Sequence, residues 1–368
     1  MATSTLNGDI ATLSSDYKKA IAEAFLGNSK DLDAYFRLYE RRFKNDQRSG
    51  ATTQPSQQPP CCVLHEDIIK AAAILKQKSH LTLGAIREKL KTEVSPRYSI
   101  DQLNFLLEFT MQAMLMIDAV APDTKPYKVG RHQFTLWSEG ESLLDFVTRC
   151  FPQVSAERRD LVGQVVADKR SLKAWKLKKR LHITFEATDN LANHLLFDSH
   201  KRIIYVFHHA GYLKAHLNLW QQSGADARNV GITRAISERT LSPRLLAETL
   251  HSLQSILFHY GDTKSNEILQ KLVNEEGFDP SCEEANGYLP FKDGLKDFMY
   301  TYWGDRLAII HAFTLDRPPR GRIGKLVKRH TTDRNLFIIA VMALLVSAAV
   351  GIIQTAIAWM AWKDQTNI

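Results

Sequence analysis

Twenty-seven consecutive residues without a charge, LFIIAVMALLVSAAVGIIQTAIAWMAW from Leu336 to Trp362, constrain this chain more than any other feature. Wound as a helix they extend about 40 Å, against about 30 Å of bilayer hydrocarbon. The stretch is long enough to cross with some tilt. Trp359 and Trp362 fall at its far end, where indole rings favour the headgroup layer. A buried core helix is the competing reading, but core helices seldom run so far without a polar face. The sequence therefore predicts a single C-terminal transmembrane helix.

Charge gives the expected orientation. Residues 317–334 hold Arg317, Arg320, Arg322, Lys325, Lys328, Arg329 and Arg334 against one acid, Asp333, whereas residues 363–368 hold only Lys363 and Asp364. Positive flanks stay in the cytosol, so the N-terminal bulk is expected there. The opening MATSTLNGDIATLSSD has neither a basic start nor an apolar core, so no signal peptide is expected. With so few residues after the span, a tail-anchored protein with a short lumenal tail is predicted. The long span and weakly charged tail favour the endoplasmic reticulum over the mitochondrial outer membrane.

A second basic block, KRSLKAWKLKKR at 169–180, has seven cations and no acid. Of the overall charge of +8, the two blocks account for more than all, leaving the remainder mildly acidic. Lys173, Trp175, Lys176, Lys178, Lys179 and Arg180, with juxtamembrane Lys325, Lys328, Arg329 and Arg334, are candidates to meet an anionic bilayer surface. A solvated helix face, or an RNA-binding or nuclear import segment, remains open for the first group. Within the span, Ala343, Ser347, Gly351 and Thr355 recur every four residues. Such a stripe lets two helices approach closely, or arises by chance in an Ala-rich segment. A homodimer through this helix is possible on that reading.

At 44% apolar and 24% charged residues, the rest is ordinary globular material. The expected fold is mainly α with a minor β component. Two short helices lie within residues 1–43, the first capped by Ser15 or Asp16, and a Gln- and Pro-rich linker spans 44–60. Residues 61–154 read as a winged-helix-like module. Its helices fall near 65–78, 83–92 and 99–118, the last opened by a Ser99–Gln102 capping box, with HQFTLW at 132–137 as a wing strand. Ser138 and Glu141 suggest another capping box. Residues 155–316 read as a mixed helical domain: a helix near 155–179, strands at 181–188 and 202–209, then helices. One of these begins at Ser242-Pro243 and closes at Gly261, another near 264–274 closes at Gly277, and a third lies near 291–314. The basic segment 317–335, the span and the tail 363–368 complete the chain.

Catalytic signatures are weak. Six histidines, His182, His194, His200, His208, His209 and His216, crowd one stretch, yet no two have the i, i+4 spacing of a helical metal site. His208 and His209 end a strand, which predicts opposite faces. Asp189 and Asp198 are either an acid pair for hydrolysis or a cap and a turn. GRIGK at 321–325 lacks the preceding strand of a phosphate loop. The expectation is no metal and no cofactor. Cys61, Cys62, Cys150 and Cys282 show no metal spacing and read as reduced thiols, with acylation of Cys61-Cys62 as the alternative. The helix at 99–118 has no Lys or Arg and carries Asp101, Glu108 and Asp118, the wrong sign for nucleic acid.

TDNLANHLLFDSHKRIIYVFHHAGYLKAHL, LSPRLLAETLHSLQSILF, KLVNEEGFDP, YTYWGDRLAIIHAF and RPPRGRI, ahead of the terminal apolar segment, resemble a large family of uncharacterised single-span membrane proteins of filamentous fungi. The resemblance covers about residues 60–368. It implies a fungal membrane protein and carries no catalytic residues. The sequence thus reads as a non-enzymatic adaptor platform, with the bilayer and an unspecified protein as partners and no nucleic acid. The alternatives are a membrane-tethered enzyme with its site in 181–216, or, less favoured, a winged-helix nucleic-acid binder.

Overall fold

The computed structural model describes residues 13–26, 32–49, 63–121, 135–222, 230–238, 241–284 and 299–315, and part of 344–359. Two compact units divide the chain, residues 1–311 and 312–368. The described residues are mainly helical with little strand.

In the first unit, α1 (Ser15–Phe25) begins at Ser14, whose hydroxyl accepts the Tyr17 amide, one residue ahead of the expected cap. Helix α2 (Asp33–Ser49) runs into the expected linker. Helices α3 (His65–Gln77), α4 (Leu83–Glu93) and α5 (Ile100–Leu115) fall where apolar periodicity places them. Ser99 and Gln102 form the reciprocal box at the start of α5. From Leu106 to Leu115 every α5 residue except Glu108 is buried. The reason is contact on several sides, from α2, α3, α4 and β1 (Ala119–Val120).

Among the described residues no antiparallel wing is present, and His132 to Phe134 of the expected wing strand lie outside them. Strands β1 and β2 (Thr135–Leu136) pair in parallel, Ala119 with Thr135 and Val120 with Leu136. A wing needs an antiparallel hairpin, so the winged-helix expectation is corrected to three helices with a short parallel ladder. Helix α6 (Leu143–Cys150) is capped by Ser142 rather than Ser138. The Ser138–Glu141 pair closes the turn before it.

The long helix expected at 155–179 is broken. Helix α7 (Arg159–Ala167) buries Val162 and Val165, a 3-10 turn covers Lys169–Leu172, and α8 (Ala174–Leu181) buries Ala174, Leu177 and Leu181. Extended backbone at Lys173 (ψ 133°) separates the pieces, so each turns its own apolar face to a different neighbour.

The small sheet is β3 (Thr184–Thr188), β4 (Phe197–Asp198) and β5 (Ile203–Phe207), in the order β3-β5-β4. β3 and β5 are parallel from Thr184–Ile203 to Thr188–Phe207, whereas β4 returns antiparallel to β5. All five residues of β5 are buried, as its unbroken apolar run IIYVF requires of a strand covered on both faces. Helices α9 (Ala210–Gln222), α10 (Ile232–Glu238) and α11 (Pro243–His251) follow. A π-helical turn over Ser252–Leu257 continues α11, so this helix ends before Gly261. Helix α12 (Thr263–Glu276) closes at Gly277, whose φ of 75° favours glycine, and α13 (Gly304–Leu315) ends the described part of the region.

In the second unit, residues 344–348, 350, 351, 354, 355, 357 and 359 are helical and exposed. Among the described residues no helix is long and apolar enough to cross a membrane. Lys325, Lys328, Arg329, Arg334, GRIGK and Ala343 lie outside the described residues, as do Cys61 and Cys62.

Candidate functional site

Parallel strands finish at the same sheet edge, where α/β proteins place ligands. Here the Thr188–Phe207 register brings Asp189, just after β3, beside His208 and His209, just after β5. Asp189 Oδ1 accepts from His208 Nε2 at 3.2 Å and from His209 Nε2 at 2.8 Å. Its Oδ2 accepts from Arg41 of α2 at 2.7 Å. The two imidazoles lie 4.1 Å apart. The expectation that they point to opposite faces is overturned. β5 stops at Phe207 and α9 starts at Ala210, so both histidines sit in a turn where strand alternation no longer applies.

Proton positions follow from the partners. The Asp279 amide donates to His208 Nδ1 at 3.1 Å, which puts the His208 proton on Nε2. Burial first, then the neighbouring His209, pushes the His208 pKa down to about 4, against the pull of Asp189. Burial alone would raise the Asp189 pKa, but the His208 and His209 hydrogen bonds hold it far below the usual carboxylate range. His209 donates to the same carboxylate, and its buried Nδ1 has no hydrogen-bond partner.

Asp189, His208 and His209 bring three potential metal-ligand atoms within 4.8 Å of one another. Their chemistry does not suit a cation. A metal on His208 Nε2 would move the proton to Nδ1, against the Asp279 N–H. The Arg41 guanidinium already neutralises the one carboxylate. The cluster is an arginine-clamped carboxylate that ties α2 to the sheet edge.

The remaining histidines are placed separately. His194 is fully buried. Its Nδ1 accepts the Phe207 amide at 3.1 Å, and its Nε2 donates to Ser252 Oγ at 2.7 Å. Burial, with Arg306 nearby, pushes its pKa down to about 3. His216 is buried against the Tyr212 ring. His182 and His200 are exposed. Asp198 closes a turn by accepting the His200 and Lys201 amides, so the structure gives it the turn role.

Two features had no sequence signal. Glu248, inside the apolar α11, is buried and accepts the amides of Thr301, Tyr302 and Trp303 at 2.6, 2.8 and 3.2 Å. Burial pushes its pKa up to about 7, opposed by those amides and Arg244. Glu248 thereby holds the chain entering α13. Beside the π turn, a half-open cavity of about 370 Å³ is lined by His251, Gln254, Phe258, His259, Asn266 and Cys282. His251 Nδ1 is bonded to Tyr300 Oη at 2.7 Å, and burial pushes its pKa down to about 4. Burial raises the thiols of Cys282 and Cys150, the latter to about 12, which leaves neither a ready nucleophile.

In the basic block, Lys178, Lys179 and Arg180 are exposed. Lys173 pairs with Asp262 at 3.5 Å. Trp175 is half-buried between Lys264 and Lys176, whose ammonium groups stand 5.0 and 5.7 Å from its ring. It is therefore not a free surface indole. In the small-residue stripe, Ser347, Gly351 and Thr355 are exposed on helix, and the Thr355 hydroxyl donates to the Gly351 carbonyl.

No family model, curated protein or solved structure matches the chain.

Proposed function

We propose that this chain is a membrane-anchored, non-enzymatic interaction platform, held through residues 336–362 with its first unit on the cytosolic side. The observation that carries the reading is the solvent-facing apolar helix. Leu344, Leu345, Val346, Val350, Ile357 and Trp359 are all exposed, at 47–71%. A helix this apolar needs a non-aqueous surrounding. The endoplasmic reticulum is the proposed membrane, and pairing through Ser347, Gly351 and Thr355 the proposed self-contact. Deleting 336–368 should release the protein into the soluble fraction. A truncated form still sedimenting with membranes after a high-salt wash would refute the single anchor.

One observation favours a second reading, a membrane-tethered enzyme. Asp189 orients His209 and leaves its Nδ1 without a partner, the arrangement of a general base. That atom is buried and Arg41 occupies the same carboxylate, so the platform reading is preferred. Diethyl pyrocarbonate separates the two. The platform reading expects His209 to stay unmodified until the protein unfolds, whereas rapid acylation in the native protein supports the enzyme.

A further inference from the structure

We infer that the face formed by the 3-10 turn Lys169–Leu172 and helix α8 lies on the anionic headgroups of the same bilayer; this rests on the anchored-platform reading. Ala174, Leu177 and Leu181 turn inward, so the cations of this segment are left to the outside. Lys169, Arg170, Lys178, Lys179 and Arg180 are exposed, and of the acids on α12, against which α8 packs, Glu276 feels Lys178. The cations crowd one another. Partial burial, then Arg180 and Lys173, lower the pKa of Lys176. Lipid phosphates and carboxylates would relieve that repulsion, each basic side chain near such a surface adding about 1 kcal/mol at low salt.

Charge complementarity alone would admit RNA. The local chemistry favours lipid. Single-stranded RNA is gripped by aromatic faces on which bases stack, and the block's only aromatic, Trp175, is covered by Lys264 and Lys176. Exposed apolar side chains accompany the cations instead. Helix α7 packs on the start of α13 through Val162 and Gly304. Asp168, next to the basic turn, bonds His311 of α13 at 3.0 Å. Leu161 and Ile309, on these two helices, are 47% and 54% exposed. Cations beside exposed aliphatic side chains suit a headgroup layer. Membrane attachment through 336–362 would supply the high local concentration that lets a weak attraction hold the face down.

The test uses the full chain in vesicles of phosphatidylcholine alone or mixed with phosphatidylserine, and an amine-reactive label read by mass spectrometry. Flotation with neutral vesicles reports the anchor. Docking is read from labelling at Lys178 and Lys179 relative to exposed Lys91 of α4, whatever the flotation result. The expected result is a several-fold fall in that ratio with phosphatidylserine, reversed as salt rises. Substituting Lys178→Gln, Lys179→Gln and Arg180→Gln together, all exposed, should remove the matching protection of Lys169. An unchanged ratio overturns the proposal. So does protection by added RNA that exceeds protection by anionic lipid.

Discussion

At the residue scale, Asp189 is worth more than the arginine that faces it. It accepts from Arg41, His208 and His209 at once and is 22% exposed, while Arg41 is 61% exposed. An exposed ion-pair partner contributes about 1 kcal/mol or less. A carboxylate with three charge-assisted or imidazole donors leaves all three unmatched when lost, at about 2–3 kcal/mol. Asp189→Ala should therefore lower the unfolding free energy clearly more than Arg41→Ala in denaturant titration. Equal effects would mean the imidazoles do not depend on the carboxylate. The same protein should gain no thermal stability from Zn²⁺, since His208 holds its proton on Nε2. A Zn²⁺-dependent rise in Tm that disappears in Asp189→Asn would restore the metal reading.

At the scale of elements, the junction between α7 and α13 is the most tightly specified contact. A Cβ added at Gly304 would stand 2.7 and 2.9 Å from the two methyls of Val162 and 3.0 Å from a methyl of Val154. Glycine opens α13 because the two segments approach too closely for any side chain. In an unconstrained helix Gly→Ala gains up to about 1 kcal/mol. Here overpacking costs about 1–3 kcal/mol, so Gly304→Ala should destabilise. Pairing it with Val162→Ala should recover part of the loss, the non-additivity expected of neighbours. Additive losses in thermal melts of the double variant would show that the clash is relieved elsewhere. The adjoining Glu248 works on the same junction, accepting the three backbone amides of the segment that leads into α13.

For the whole first unit, buried neutral histidines predict acid lability. His194 is pushed down to about 3, and His208 and His251 to about 4. Unfolded, each takes a proton near 6.5, so the unfolded state binds more protons as pH falls below that value. Stability then falls by about 1.4 kcal/mol per pH unit for each. Glu248 acts oppositely. Its folded pKa is raised to about 7, so it gains stability as pH falls from there toward its unfolded value. Half-buried His65, also lowered by burial, acts with the three, and together they outweigh Glu248, a net loss of roughly 3 kcal/mol per pH unit between about 6.5 and 4.5. Asp189, with its depressed pKa, gives up its contribution only below the ordinary aspartate range. Against a typical total of about 5–15 kcal/mol, circular dichroism should show Tm dropping steeply below pH 6.5. A flat profile down to pH 5 would contradict the neutral, buried state of these imidazoles.

The sequence by itself determined what depends on neighbours along the chain. Helices α3, α4, α5 and α12 were legible because apolar spacing, the Ser99–Gln102 box and the Gly277 cap are local signals. The apolar run of β5 and the Asp198 turn were legible for the same reason. Tertiary structure alone decided where distant residues meet. The Asp189 cluster needs the parallel β3–β5 register and an arginine from α2, 148 positions away in sequence. The parallel sense of β1 and β2, which removed the wing, is likewise a pairing choice with no local marker. The 155–179 periodicity misled because a 3-10 turn and extended backbone at Lys173 interrupt the helix, so two short helices bury different stripes. Glu248 was hidden because an acid among leucines has the same local appearance whether it meets water or three backbone amides. Local propensity acts over a turn or two of chain, whereas a buried charge is stabilised only by the groups that folding brings to it.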